Sequence, residues 1–271
     1  MGINEAPKDS WASGDSYEPY IGRWSRLVAQ DFIRWLAVPG GSRWLDVGSG
    51  TGALSQTILH TANPKKLRGI DRSRDYVEFT RSQVNDPRVE FDVGNAQALP
   101  IGSETFDAAV SGLVLNFVPH PDQMVAEMAR AVGSGGVVAL YVWDYAGRMQ
   151  MLRHFWNAAV ALDPAARDLD EGRRFPICSP VALNTLFQNA GLSQVEVRPI
   201  DILAEFQDFN DYWNPFLGGQ GPAPGYVMSL SDGRREQLRH RIYNSLPFAL
   251  DGTIPLVMRA WAVKGIKSKR L

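Results

Sequence analysis

The sequence has little cysteine and no excess of charge of one sign. Cys178 is the single cysteine among 271 residues, so the chain can form no intramolecular disulfide and no clustered thiolate metal site. Lysine and arginine number 28 against 29 aspartate and glutamate, which provides no global attraction to a phosphate backbone. We therefore expect Cys178 to be a packing residue and nucleic acid not to be a partner.

Long hydrophobic runs are also missing. No segment approaches the roughly 18 apolar residues that a membrane span requires, and the N-terminus, MGINEAPKDS, lacks the charged start and apolar centre of a signal peptide. No histidines or acids have a convincing metal-ligand spacing. We expect a cytoplasmic protein with no membrane span and no metal.

Short apolar strands alternate with amphipathic helices from residue 43 to residue 143. The pattern predicts a buried strand from Phe106 to Ser111 and another apolar strand from Gly136 to Trp143. Such βα repeats predict a parallel sheet that is covered by helices on both faces. After Trp143 the rhythm changes, and an amphipathic helix precedes an irregular segment where a strict repeat would return to the sheet.

We predict five segments from this change of rhythm. They are a disordered N-terminus (1–15), a core with an N-terminal helix (16–146), a helical cap insertion (147–178), a completion of the core with an aromatic, Pro- and Gly-rich insertion (179–264) and a basic tail (265–271). The aromatic group around Phe206 to Phe216, with Phe155 and Trp156, has two open interpretations. It either walls an apolar pocket or forms the core of the cap.

The decapeptide RWLDVGSGTG, Arg43 to Gly52, combines a buried strand, an acid and a three-glycine turn. The glycines can adopt positive φ, and the helix that follows presents free N–H groups to a polar or anionic ligand. Asp46 lies inside the strand, where a carboxylate needs a hydrogen-bond donor. Bracing of the loop and binding of a cationic ligand group both remain open for it.

Asp71 ends the next strand, where an acid can accept hydrogen bonds from both hydroxyls of a ribose. An exposed acid at a strand end is the alternative. The segment from Gly94 to Pro100 follows the third strand and could receive an adenine edge or form an ordinary turn.

In these motifs the chain resembles the class I S-adenosylmethionine-dependent methyltransferases, especially the small-molecule branch with the ubiquinone and menaquinone biosynthesis enzymes. The resemblance covers about residues 17 to 145 and rests on LDVGSGTG, GIDRS and VGNAQALPIGSETFDAAVSGLVLNFVPHPDQMVAEMARAVGSGGVVAL. It implies a Rossmann-like α/β fold: a seven-stranded, mostly parallel sheet with helices on both faces, an antiparallel last strand and a helical cap.

The resemblance also implies a set of cofactor-binding residues. The turn would hold the methionyl part, Asp46 would lie near its ammonium, and Asp71 would bind the ribose. Arg72 would flank the adenine, Asn95 and Ala96 would touch its edge, Ser111 and Gly112 would line the sulfonium side, and Tyr20 and Arg23 would close over the methionyl end. The turn residues are Gly48, Ser49, Gly50, Thr51 and Gly52.

The chain departs from the family pattern at two positions. Asn95 stands where relatives often carry Asp, and its amide oxygen accepts a hydrogen bond without charge assistance. Asn116 and Phe117 stand where relatives often show histidine, so a base at that place is not supported. The candidates for a general base are instead His120, His154, Asp144 and Tyr145, each of which also has a structural interpretation.

These features predict an enzyme that transfers a methyl group from S-adenosylmethionine to a small, partly apolar molecule and releases S-adenosylhomocysteine. The sulfonium is already activated, so an obvious catalytic residue is not required. An NAD-dependent oxidoreductase and a non-catalytic binding protein for the cofactor are the alternatives. The sequence leaves the acceptor atom open, and a homodimer is one alternative for the oligomeric state.

Overall fold

The computed structural model describes residues 18–219 and 221–268, and the segment 1–15, which we predict to be disordered, lies outside that range. The described chain contains a seven-stranded sheet. Its strands are β1 (Arg43–Val47), β2 (Lys66–Asp71), β3 (Val89–Val93), β4 (Phe106–Gly112), β5 (Val132–Trp143), β6 (Leu192–Phe206) and β7 (Ile254–Lys267).

The strand order is β3-β2-β1-β4-β5-β7-β6. β1 pairs in parallel with both β2 and β4, β2 with β3, and β4 with β5, whereas β7 runs antiparallel to β5. From β1 the chain builds the sheet outward on one side through β2 and β3, and then returns to the other side of β1 with β4. At such a switch point, open α/β sheets form a ligand-binding crevice outside the carboxyl ends of the strands. The predicted Rossmann-like fold, with its antiparallel last strand, is confirmed.

Helices connect the strands. They are α1 (Arg23–Leu36), α2 (Ala53–Thr61), α3 (Arg74–Gln83), α4 (Pro121–Ala131), α5 (Gln150–Leu162), α6 (Glu171–Arg174), α7 (Pro180–Asn189), α8 (Phe209–Trp213), α9 (Pro222–Ser229) and α10 (Asp232–Tyr243). Serine caps the start of three of them, since the side chains of Ser73, Ser179 and Ser231 accept from the N–H groups of Tyr76, Ala182 and Arg234. No helix of the described ranges is long and apolar enough to cross a membrane.

β5 begins at Val132, four positions before the predicted start. Val132 pairs with Phe106, and the register then shifts before Val137 pairs with Ala108. Gly135 has a φ of +79° in this irregular stretch. Glycine is depleted in regular strands, so the run of glycines hides the first part of the strand from a sequence pattern.

The chain divides into two compact units. The sheet unit comprises residues 24–144, 177–201 and the described residues from 259 onward, and the aromatic unit comprises the described residues up to Arg23, 145–176 and 202–258. This division differs from the predicted segments, because it groups residues 202–258 with residues 145–176 rather than with the core. β6 and β7 each contribute residues to both units.

The aromatic unit has a dense core of its own. Phe155 and Phe216 are fully buried and stack with their ring centroids 4.7 Å apart. Tyr212 is also fully buried and donates from its hydroxyl to the Met151 carbonyl at 2.7 Å. Of the two interpretations of these aromatic residues, the contacts show core packing for Phe155, Tyr212 and Phe216.

Candidate functional site

The glycine turn after β1 is held against the end of β2 by its backbone. The N–H groups of Gly48 and Ser49 both donate to the Ile70 carbonyl, at 2.7 and 3.1 Å. All three glycines of the turn have positive φ, a conformation that only glycine adopts without strain. The φ values are +77° for Gly48, +51° for Gly50 and +86° for Gly52.

Gly50 is fixed from two sides and open on a third. Its N–H donates to Asp71 Oδ2 at 2.9 Å, and its carbonyl accepts from the Thr80 hydroxyl at 2.7 Å. A Cβ atom built at Gly50 would have nothing within 4 Å, whereas one at Gly52 would lie 2.7 Å from Thr80 Cγ2. The middle of the turn therefore faces free space. At Gly52, the last glycine of the turn, a side chain would clash with Thr80.

The end of β4 lies against the same turn. The Ser111 hydroxyl donates to the Val47 carbonyl at 2.6 Å, and both groups belong to neighbouring parallel strands. A Cβ at Gly48 would lie 2.4 Å from a methyl of Val114, so the segment after β4 packs directly on the first glycine. The carboxyl ends of β1, β2 and β4 thus meet around the glycine turn.

Asp46 is a fully buried acid with one oxygen in use. Its Oδ2 accepts from the Ser55 hydroxyl at 2.6 Å, while Oδ1 has no hydrogen-bond partner among the described residues. Burial raises the pKa of Asp46 to about 7, and the Asp71 charge adds to the rise while the Ser55 hydrogen bond opposes it. The buried Ser49 hydroxyl is likewise unpartnered within the part of the chain that the structure describes.

Asp71 braces the turn. Besides the bond to Gly50, its Oδ1 accepts from the Ser73 N–H at 2.8 Å, just before α3 begins. Burial raises its pKa, and these two backbone hydrogen bonds act against the rise. A carboxylate has about four lone-pair sites, so Asp71 keeps acceptor capacity for a ligand.

The remaining predicted residues of the sheet unit lie at the ends of β2 and β3. Arg72 is exposed. Asn95 is also exposed, and its Oδ1 accepts from the Gln97 N–H at 3.0 Å, which stabilises the turn that contains Ala96. The side-chain oxygen that we predict to recognise adenine therefore already accepts one backbone hydrogen bond.

Tyr20 and Arg23 belong to the aromatic unit. Tyr20 is buried and packs edge-on against Phe216, with ring centroids 5.4 Å apart. Arg23 forms an ion pair with Asp211 at 2.8 Å and lies over the Phe206 ring at 5.0 Å. Both residues have structural partners in their own unit, and their role at the methionyl end stays a prediction.

The four candidates for a general base are spread over both units. In the sheet unit, His120 is exposed and precedes α4, and the Asp144 N–H donates to the Arg259 carbonyl at 2.9 Å. In the aromatic unit, Tyr145 packs near Phe175, and His154 Nδ1 lies 3.3 Å from the Ser245 hydroxyl.

These contacts do not single out a base. Burial lowers the pKa of His154, so the imidazole is held further toward its neutral form than a free histidine. A neutral imidazole can accept a proton, but Nδ1 of His154 lies beside the hydroxyl of Ser245, a residue of the same unit. The assignment of a general base therefore stays a prediction.

Two buried polar groups that the sequence did not single out for the site stand out in the structure. Asn116, in the turn after β4, has neither amide atom bonded among the described residues. Glu171, in the aromatic unit, accepts from Trp156 Nε1, and burial raises its pKa to about 8. In the sequence, Asn116 is marked by two signals: it is a lone amide within the apolar run LVLNFV, and it stands where the resembled family often has histidine.

Residues 45–140 match the family model described as a methyltransferase domain. That range contains the glycine turn, the acid that ends β2 and the end of β4. The chain contains a class I S-adenosylmethionine-dependent methyltransferase domain. Of the predicted binding residues, Tyr20 and Arg23 lie outside the matched range.

Curated relatives match over the same part of the chain. The methyltransferase domain is 33% identical over 118 residues to the ubiquinone/menaquinone biosynthesis C-methyltransferase UbiE of Bartonella bacilliformis, covering 41% of this chain and 45% of that protein. It is 30% identical over 134 residues to methyltransferase GfsG of Streptomyces halstedii, covering 48% of each. The chain thus spans about half the length of these relatives.

Solved structures share the fold over a greater length. Haemonchus contortus phosphoethanolamine N-methyltransferase 2, solved with phosphomonomethylethanolamine and S-adenosylhomocysteine, aligns with a TM-score of 0.61 at 14% identity. The alignment covers 94% of this chain and 57% of that protein. At this identity the likeness shows that the fold of the methyltransferase domain is shared.

Proposed function

We propose that this protein binds S-adenosylmethionine at the glycine turn and transfers its methyl group to a small, partly apolar molecule. The observation that carries the proposal is the pairing of free space at Gly50 with buried, unpartnered polar atoms beside it. Asp46 Oδ1 and Ser49 Oγ lack partners within the described ranges, and a buried polar atom without a partner is destabilising. A polar ligand at the turn removes that penalty.

The charges of the site suit this cofactor. Asp46 offers an unbonded carboxylate oxygen to a cationic group, and its raised pKa means that an adjacent cation favours release of its proton. Asp71 lies at the ribose position, with acceptor capacity left after bracing Gly50. The residues present therefore fit a molecule with an ammonium group at one end and a ribose at the other.

The remaining roles follow the predicted assignments. Exposed Arg72 would flank the adenine, and Asn95 and Ala96 would meet its edge. Ser111, whose hydroxyl ties β4 to β1, and Gly112 would line the sulfonium side. Thr51 and Gly52 would complete the turn around the methionyl part.

When bound, S-adenosylmethionine supplies a methyl group that is already activated by its sulfonium. The protein then has to align the acceptor, exclude water and, for a hydroxyl or carbon acid, accept a proton. His120, His154, Asp144 and Tyr145 stay the candidates for that last task. The apolar character of the acceptor is supported by the match to a quinone-biosynthesis C-methyltransferase, and the acceptor atom is left open.

Calorimetry with S-adenosylhomocysteine and with NAD tests the cofactor assignment. We expect micromolar binding of S-adenosylhomocysteine and none of NAD, and the reverse result would overturn the proposal. Transfer of a labelled methyl group from S-adenosylmethionine is then measured across quinol, phenol, carboxylate and amine acceptors. Transfer to an acceptor of these classes would separate an enzyme from a non-catalytic binding protein.

We also propose a cytoplasmic location. Cys178 is buried, and burial with the nearby Asp144 charge raises the pKa of its thiol, so it suits a reducing compartment as an inert packing residue. A small-molecule acceptor is the proposed partner. Sedimentation of the purified chain would decide between a monomer and a homodimer.

A further inference from the structure

Asn116 is the most poorly satisfied side chain of the sheet unit. It lies in the 3₁₀ turn Leu115–Phe117 and is only 8% exposed. Neither its Nδ2 nor its Oδ1 has a hydrogen-bond partner among the residues that the structure describes. An amide buried in this way is destabilising unless a bound molecule supplies both a donor and an acceptor.

The turn that carries Asn116 is fixed beside the glycine turn. Leu113 has a φ of +62°, which is unusual for a leucine, and its N–H donates to the Tyr141 carbonyl at 2.8 Å. The chain therefore turns after β4, and the Val114 side chain packs against Gly48. Strained backbone of this kind is maintained where the surrounding structure determines it, often at ligand sites.

The unpartnered atoms at this edge of the sheet form a complementary set. Asp46 Oδ1 and Asn116 Oδ1 can accept hydrogen bonds, Asn116 Nδ2 can donate them, and the Ser49 hydroxyl can do either. A ligand group that matches the set carries an ammonium and a carboxylate together. The amino-acid end of S-adenosylmethionine has that composition.

We propose that Asn116 binds the amino-acid end of the cofactor, with Nδ2 donating to the α-carboxylate and Oδ1 accepting from the α-ammonium. The inference rests on the proposed function, and it adds a residue that was not among the cofactor-binding residues predicted from the sequence. A neutral amide suits this position because Asp46 already supplies a negative charge. A second acid there would repel the cofactor carboxylate.

Two ligands that differ only at one end provide the test. S-adenosylhomocysteine has the amino and carboxylate groups, and 5′-methylthioadenosine lacks both. Calorimetry on the purified full chain should show that Asn116→Ala weakens S-adenosylhomocysteine binding about tenfold, the loss expected for a hydrogen bond to a charged group. The affinity for 5′-methylthioadenosine should change less than twofold.

Asn116→Asp sharpens the result, because it keeps an acceptor for the ammonium but loses the donor and repels the carboxylate. It should weaken S-adenosylhomocysteine binding more than Asn116→Ala does. Asn189→Ala, at an exposed asparagine that ends α7, is the matched control and should leave both affinities unchanged.

The outcomes are distinguishable. Retained binding of 5′-methylthioadenosine reports that a variant is folded at the site. Unchanged S-adenosylhomocysteine affinity in Asn116→Ala would overturn the inference, and an equal loss for both ligands would overturn it as a structural effect. Absence of S-adenosylhomocysteine binding by the unaltered protein would instead overturn the proposed function itself.

Discussion

The carboxylate of Asp71 holds the backbone N–H of Gly50 at 2.9 Å, and so joins the end of β2 to the middle of the glycine turn. The same carboxylate accepts from the Ser73 N–H at 2.8 Å, at the start of α3. One acid therefore sets the shape of the turn and the entry into the next helix. In the proposed function it also faces the ribose, which makes its structural and binding roles separable only by experiment.

Replacement of Asp71 by alanine should affect both roles. We expect cofactor affinity to fall by about 1 to 3 kcal/mol, because charge-assisted hydrogen bonds are lost. The Gly50 amide should also exchange with solvent faster, since it loses its partner. Calorimetry with S-adenosylhomocysteine measures the first effect and hydrogen exchange the second. Asp75→Ala, at an exposed acid in the first turn of α3, is the control.

A stability change in Asp71→Ala without any change in affinity would show that Asp71 is purely structural. The opposite pattern, weaker binding with unchanged exchange at Gly50, would show that the ribose contact matters and the loop bond does not.

Alanine at Gly50 should block cofactor binding. The added methyl group points into free space in the protein alone, so it meets no protein atom but enters the volume proposed for the ligand. Gly41→Ala is a matched control, because Gly41 also has positive φ and open surroundings and precedes β1. Both changes impose a left-handed backbone on alanine, at roughly 1 to 2 kcal/mol.

Thermal unfolding should therefore show similar destabilisation for the two glycine variants, while affinity for S-adenosylhomocysteine falls at least about tenfold in Gly50→Ala alone. Equal affinities in the two variants would contradict the proposed position of the cofactor at the glycine turn.

The conformation of the glycine turn was predictable because its signals are local. Glycines at positions that need positive φ and an acid inside an apolar strand are visible in a decapeptide. The turn after β4 was not, because Leu113 adopts positive φ through tertiary contacts and nothing in LVLNFV marks it. The sequence also did not predict that residues 202–258 belong to the same unit as residues 145–176. β6 crosses the boundary between the units, and its alternating pattern does not show which unit each of its ends joins.

Glu171 should make the aromatic unit less stable as pH rises. Its folded pKa of about 8 lies above the ordinary value of 4.5, so the folded state holds a proton that the unfolded chain releases. Its contribution is complete below pH 4.5 and is lost as pH rises through 8. Asp170 raises this pKa, and Arg153 together with the Trp156 hydrogen bond opposes the rise.

Glu171→Gln keeps the acceptor for Trp156 and removes the titration. We expect urea unfolding to show that the variant gains stability relative to the unaltered protein between pH 5 and pH 8.5, by at most about 1.4 kcal/mol for each pH unit. Glu236→Gln, at an exposed position of α10, should show no such gain. Parallel stability curves for Glu171→Gln and the unaltered protein would contradict the assignment of a buried proton.

Asp46 should make cofactor binding depend on pH. With a pKa raised from 3.8 to about 7 in the free protein, Asp46 is largely protonated at pH 6 and largely charged at pH 8. The cationic cofactor favours the charged form, so affinity for S-adenosylmethionine should rise across this window and binding should release a proton below pH 7. Calorimetry in two buffers of different ionisation enthalpy counts that proton.

Asp46→Asn keeps the acceptor for Ser55 and cannot titrate. Titration of the ligand contributes equally to the pH profiles of both proteins, so the difference between the two profiles reports on Asp46 alone. We expect the pH-dependent part of the affinity and the released proton to disappear in the variant. Identical pH profiles would show that the unpartnered oxygen of Asp46 does not face the cation, and the buried acid would then serve only to hold Ser55 and α2 against β1.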